Sequence, residues 1–287
     1  MNRHKNIFFR KPSTNPYRIF ILLILILGGI WLIRQLETGA IQRPFTPTPT
    51  PTRAAQSLAL EGDAQFSAGQ LDAAITAYQE ATRIDPNNAE VWAKLARIQA
   101  YSSALLTTDE QQRARLQEAL ASIEKAVELA PDDSLAHATH AFVLDWNSNT
   151  ILFGEDQAAD YLLQAEQAAV RALQLDNQNT LALAYYAEIL VDEQKWNQAE
   201  QYIQQALEQD DTLMDVHRVY AYVLESFGQY NQAIQEYDKA IAISPNLTFL
   251  YLRAGANYRR LAFDSPNDEV GTQLYESSLE YFAKAAR

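Results

Sequence analysis

Apolar and polar positions recur along most of this chain at helical spacing, and the pattern repeats itself. Small residues mark the repeat. Gly62, Ala74, Ala81 and Pro86 stand 12, 7 and 5 positions apart, and the same intervals recur at Ala221, Ala233, Ala240, Pro245 and at Ala187, Ala199, Ala206, Asp211. Three more units keep the 7 and stretch the first interval to 23 or 24: Ala96, Ala119, Ala126, Pro131; Ala141, Ala165, Ala172, Asn177; and Gly255, Ser278, Ala285. Large apolar residues fill between them, as with Trp92 and Leu95, Tyr78 and Tyr237. Each unit predicts two helices that approach closely where small residues face each other, closed by a proline or turn former. The units run over about 54–88, 89–133, 134–179, 180–213, 214–247 and 248–287.

Two units carry the pattern most clearly. In the first, Gly69-Gln-Leu71 precedes an alanine-rich helix ending at Pro86; in the fifth, Gly228-Gln-Tyr230 precedes Asn231 to Pro245. This arrangement resembles the tetratricopeptide repeat, a helix-turn-helix unit of about 34 residues. The resemblance covers 234 of the 287 residues. It implies an all-α fold in which six helix pairs wind into a right-handed α-α superhelix. In this family the first helices line a concave groove that binds a peptide or a helix of another protein. Carried onto this sequence, the groove-facing positions are Arg97 and Tyr101, then Phe142, Asp145 and Trp146, Glu188 and Asp192, Arg218, Tyr222 and Glu225, and Arg259 and Arg260. The subclass that clamps chaperone tails is set aside, because Ala59, Asp63, Ala93 and Arg97 occupy its lysine and asparagine positions.

Three units depart from the family length by 11 or 12 residues, near Tyr101–Gln112, Trp146–Gln157 and Phe263–Gln273. Eleven residues are about three helical turns, so longer helices would stay in phase. Turn-rich Asn147–Thr150 and Asp264–Asp268 equally allow projecting loops. Either arrangement makes a rim, read as a tolerated surface insertion or as a contact edge.

The amino-terminal part follows another pattern. Ile19 to Ile33 has no charged residue and is preceded by Arg3, Lys5, Arg10, Lys11 and Arg18. An anchor over residues 19–36 is expected to cross a membrane, behind a basic cytoplasmic leader at 1–18, with the remainder extracytoplasmic. A cleaved signal peptide and a secreted chain are the alternative; a reversed anchor with a cytoplasmic repeat domain is another. Residues 37–53 contain Pro-Thr alternation and predict an extended polyproline stalk before the repeats at 54–287.

Charge sharpens this division. Residues 1–53 hold eight Lys and Arg and one acidic residue, whereas 54–287 hold 15 basic and 35 acidic ones. So acidic a repeat region disfavours nucleic acid as partner. The absence of cysteine excludes disulfides and thiolate chemistry. His137 and His140 sit three apart with Asp145 beyond, but no third strong ligand follows at helical spacing, and they replace packing residues. Asp132-Asp133 and Asp210-Asp211 fall at helix boundaries and read as caps. No phosphate loop, nucleophile elbow or His-Glu-x-x-His motif occurs, so no catalytic residue, metal, cofactor or small-molecule substrate is expected.

The final Tyr281–Arg287 lacks the polar capping helix of a finished solenoid, which suggests further repeats or another domain. The expected role is a membrane-anchored scaffold for a polypeptide partner. The alternatives are a peptide-capturing adaptor in secretion or envelope biogenesis, and the accessory arm of a longer enzyme or sensor. If charge contributes to partner binding, affinity falls between about 50 and 500 mM salt; an unchanged affinity overturns that contribution.

Overall fold

The computed structural model describes residues 15–37 and 54–286, and the chain divides into two units at Thr52 and Arg53. The basic leader before Asn15 and the Pro-Thr stretch at 38–53 lie outside the described residues. In the first unit, α1 (Pro16–Glu37) is 22 residues long, about 33 Å at 1.5 Å per residue. Its large apolar side chains from Tyr17 to Ile33 are exposed on all sides. Among the described residues it is the one helix long and apolar enough to cross a membrane.

The second unit is built wholly of helices among its described residues, in six pairs at the places the intervals predict. These are α2 (Ala55–Ser67) with α3 (Leu71–Ile84), α4 (Ala89–Ser103) with α5 (Asp109–Leu129), and α6 (Ser134–Asn147) with α8 (Glu155–Leu175), a one-turn α7 (Thr150–Phe153) lying between the last two. Then come α9 (Thr180–Asp192) with α10 (Trp196–Gln209), α11 (Met214–Ser226) with α12 (Tyr230–Ile243), and α13 (Thr248–Asp264) with α14 (Asp268–Ala285). First helices stand side by side from α4 through α6 and α9 to α11.

The small residues are where the helices meet. Ala74, Ala96, Ala119, Ala126, Ala141, Ala165, Ala172, Ala187, Ala199, Ala206, Ala221, Ala233 and Ala240 are completely buried. A side chain of one carbon lets two backbones approach while neighbours such as Leu95, Ile123, Ile203 and Tyr237 fill the flanks. At Gly62 even one carbon is too many, because a Cβ there would lie 2.7 Å from the Tyr78 ring.

Each short pair turns in the same way. Gly69, Gln194 and Gly228 adopt φ of 76°, 62° and 70°, and the following amides of Gln70, Lys195 and Gln229 bond back to Gln65 O, Leu190 O and Leu224 O at 2.8–2.9 Å. These are Schellman closures, in which a left-handed residue satisfies carbonyls at the helix end. Glycine fits that conformation; Gln194 holds it against steric resistance.

Four of the pairs are latched to the one before by a polar side chain four positions before the small residue of the first helix. Trp92 Nε1 donates to Pro86 O at 3.0 Å, and Tyr251 Oη donates to Pro245 O at 2.7 Å. At the same position His137 Nε2 lies 2.9 Å from Pro131 O and His217 Nε2 2.8 Å from Asp211 O. Two of the chain's histidines are thus accounted for by the carbonyl at the end of the preceding repeat. Asp133 caps α6 by accepting from Leu135 N at 3.0 Å, as its place at a boundary suggests.

The extra residues of the long repeats become helix and rim together. The second helices α5 and α8 are 21 residues long against 14 in α3, α10 and α12, a gain of two turns. The rest of the third repeat's insertion forms α7, capped by Asn149 and held by Arg113 Nε donating to Leu152 O at 2.7 Å. Gln194→Gly is expected to raise stability by about 1 kcal/mol, some 2–4 °C in melting temperature by circular dichroism. An unchanged or lower value would show that the Gln194 side chain contributes more than its conformation costs.

Candidate functional site

The inner face of the superhelix is not an open groove along its whole length. The first helices curl until α4 meets α11 and α13. Asp215, buried in the first turn of α11, accepts from Arg97 and from Tyr101 Oη on α4, and from Tyr185 Oη on α9 at 3.0 Å. Burial alone raises an aspartate's pKa. Here the Arg97 and Arg218 charges and the two tyrosine hydroxyls outweigh it and hold Asp215 below the ordinary carboxylate value.

Around this centre the rings interlock. Tyr101 stacks on Phe249 of α13 at 4.7 Å and meets Phe142 at 5.1 Å and Trp146 at 5.5 Å, while Phe142 stacks on Tyr185 at 4.7 Å. Arg218 lies 5.6 Å and 5.5 Å from the Tyr101 and Phe142 ring centres, and Glu188 grips it through two bonds of 2.6 Å. At the opposite edge Asn246 Nδ2 donates to Ser67 O at 2.9 Å, tying the turn after α2 to the start of α13.

Beside this closed part lies a cavity of about 800 Å³. Its floor comes from the first helices: Asp145 and Trp146, Glu188 and Asp192, Arg218 and Tyr222, Phe249 and Arg253. Its far wall comes from the insertions, namely Gln112 and Leu116 of α5, residues 148–152, and Glu155, Ala158 and Leu162 of α8. Two carboxylates are notable. Asp192 accepts from Tyr222 Oη at 2.5 Å, and its pKa is raised to about 6, chiefly by desolvation and further by Glu188. Asp145 is 5% exposed with Oδ1 unpartnered; burial first, then Asp192 and Glu188, push it well above the usual carboxylate range.

Of the twelve groove positions expected from the sequence, six line this cavity: Asp145, Trp146, Glu188, Asp192, Arg218 and Tyr222. Three need correction. Tyr101 and Phe142 have no exposed surface, and Arg97 is engaged by Asp215, so these residues close the superhelix instead of presenting a surface. The reason is curvature, which brings helices of the second and fifth repeats together. Glu225 lies outside the lining, 3.6 Å from Arg253 and accepting from Asn257 Nδ2 at 2.6 Å. Arg259 and Arg260 are exposed on α13, with Arg260 3.3 Å from Asp264. Sequence reasoning missed Asp215, Phe249 and Tyr185. The first two sit six positions before their repeat's small residue, one turn ahead of the positions searched.

His140, read beside His137 as a metal possibility, is half-buried, and desolvation lowers its pKa to about 4 ahead of any effect of His137. Among the described residues no group of three or more His, Asp or Glu is placed to hold a metal ion.

Known proteins share both the repeat and its winding. A family model described as TPR repeat matches residues 62–103, and one described as tetratricopeptide repeat matches residues 219–247. The chain carries tetratricopeptide repeats in these two stretches. No curated protein matches it in sequence. Among solved structures, a thermophilic TPR protein of Thermus thermophilus superposes with a TM-score of 0.56 at 20% identity, covering 71% of this chain and 98% of that one. The human IFIT1 dimer with m7Gppp-AAAA gives 0.53 at 18% identity, over 89% of this chain and 63% of that one. At such identities the likeness is one of fold.

The two kinds of buried carboxylate give the repeat unit opposite pH responses. Asp215, with a lowered pKa, adds stability above the unfolded value near 3.9 and loses it as pH falls through its folded value. Asp145, with a raised pKa, favours the fold below that unfolded value and loses this contribution as pH rises. Asp145→Asn is therefore expected to melt higher than wild type at about pH 8, with the difference shrinking toward about pH 4.5. Asp215→Asn is expected to cost about 3 kcal/mol, a fall of about 6–12 °C at neutral pH, because Arg97 is left without its counter-charge. Equal melting of Asp145→Asn and wild type at both pH values would contradict the assignment of Asp145.

Proposed function

We propose that this chain is a protein-interaction scaffold, anchored in a membrane through α1, that receives a polypeptide partner in the cavity of its tetratricopeptide unit. The observation that carries this reading is the cavity itself: about 800 Å³, floored by first helices and rimmed by the insertions of two repeats. Repeats of this type are in general non-catalytic platforms, and stacked first helices offer side chains from several repeats to one ligand.

The anchor reading rests on α1. Its 22 residues suffice for a hydrocarbon core of about 30 Å, and its apolar surface runs all round the helix, as lipid contact requires. We assign residues 1–18 to a cytoplasmic leader, 19–36 to the anchor, 37–53 to the stalk and 54–287 to an extracytoplasmic repeat domain, the basic leader setting the orientation. The nucleotide ligand of the IFIT1 structure is not carried over, because four carboxylates against two guanidinium groups line this cavity and would repel phosphates.

Crosslinking in native cells tests the reading, with the full chain compared with a Trp146→Ala, Ile151→Ser variant and with an Arg259→Ala, Arg260→Ala variant. The cavity variant is expected to lose a partner that wild type and the arginine variant retain, while circular dichroism shows its repeat unit still folded at the assay temperature. Loss with the arginine variant alone would move the site to the exposed face of α13. External protease on intact cells is expected to release the repeat unit; protection until lysis would reverse the proposed orientation.

A further inference from the structure

The cavity is chemically lopsided. Glu188 is neutralised by Arg218, and Arg253 lies near Glu225 and over the Tyr222 ring at 5.3 Å. Asp145 and Asp192 have no cation among their hydrogen-bond partners. Asp192 has the Tyr222 hydroxyl and shares a hydrogen bond with the Asp145 carboxyl, whose Oδ1 has no partner although the residue is only 5% exposed. A buried carboxylate oxygen left unmatched costs free energy in the empty protein, which a donor brought by a ligand would recover. Apolar and aromatic surface lies alongside: Trp146, Tyr222 and Phe249 on one side, Leu116, Leu152 and Leu162 on the other.

Resting on the scaffold reading above, we infer that the cavity recognises a basic side chain of a polypeptide, an arginine or lysine whose cationic head reaches Asp145 and Asp192 while its stem lies along Trp146 and Tyr222. Several features point there. A guanidinium or ammonium group supplies both charge and donors, and its aliphatic stem packs on aromatic faces. A bare metal ion is disfavoured, since the described carboxylates form no cluster able to hold one. An anion is disfavoured too, because Arg218 is already gripped by Glu188 through two bonds. The cavity's mouth carries Ile151, 79% exposed, and Glu155, an apolar and acidic rim suited to residues flanking a basic anchor.

The same geometry predicts proton release on binding. The groups facing Asp145 are Glu188 and Asp192 from α9, Arg218 and Tyr222 from α11, Arg253 from α13 and Glu155 from α8. A cation among them favours the ionised form of the raised carboxylates, so binding strengthens as pH rises.

The test uses the full chain in nanodiscs, with two probes. Peptides selected from a random display library are expected to share one Arg or Lys, and replacing that residue by citrulline or norleucine is expected to weaken binding on the order of tenfold or more. Asp145→Asn and Asp192→Asn are expected to cause a similar loss without lowering the melting temperature, whereas Glu110→Gln on the exposed start of α5 leaves binding intact. Affinity is expected to rise between about pH 5 and pH 8. N-acetylarginine amide alone is expected to protect weakly against thermal unfolding, and protection equal to that of the peptides would mean that the cavity takes a free cation, overturning the polypeptide assignment. Selected peptides with no shared basic residue, or binding unaffected by both Asn variants, overturn the inference while leaving the scaffold reading standing. No selected peptide at all would overturn both.

Discussion

The buried carboxylate of Asp215 is the interaction on which the rest of this repeat unit depends. It joins a helix of the fifth repeat to helices of the second and fourth, through Arg97, Tyr101 and Tyr185. An aspartate with so little exposure is tolerated only because cations and hydroxyls surround it. What it gains for the molecule is curvature. A solenoid whose repeats met only their neighbours would leave its concave side as open surface. Here that side is drawn together until Tyr101 stacks on Phe249, and a cavity of about 800 Å³ lies beside the contact.

The insertions acquire their meaning from this closure. Two extra turns on α5 and α8, with α7 pinned between them by Arg113, raise a wall opposite the first helices. An interval of 23 or 24 in place of 12 therefore changes the shape of the site without disturbing the ladder of buried alanines beneath it. Helical lengthening keeps each packing face in phase. The added turns can then project beyond the common frame.

Stability and recognition draw on the same element type in opposite ways. Asp215 is matched on every side and supports the fold. Asp145, one turn from the aromatic centre, is buried without an equivalent partner and works against the fold at neutral pH. Such local mismatch persists when the surrounding packing is strong enough to hold it, and it concentrates where a ligand completes the set.

Periodicity made the repeats legible. Because a small side chain is favoured where two helices touch, the intervals of 12, 7 and 5 marked three helix pairs, the same pattern with a first interval of 23 or 24 marked the other three, and Gly69 and Gly228 marked two of the turns. The apolar run from Ile19 to Ile33 announced α1 in the same local way. The site was legible only in part. Groove-facing spacing named Asp145, Trp146 and Asp192, which line the cavity, but it also named Tyr101 and Phe142, which the fold buries. It passed over Asp215 and Phe249, whose partners stand more than a hundred residues away in α4. Local spacing encodes which face of a helix turns inward. How tightly successive pairs curl, and hence which inward faces meet and which enclose space, is a sum over all six interfaces, and that only the tertiary structure decided.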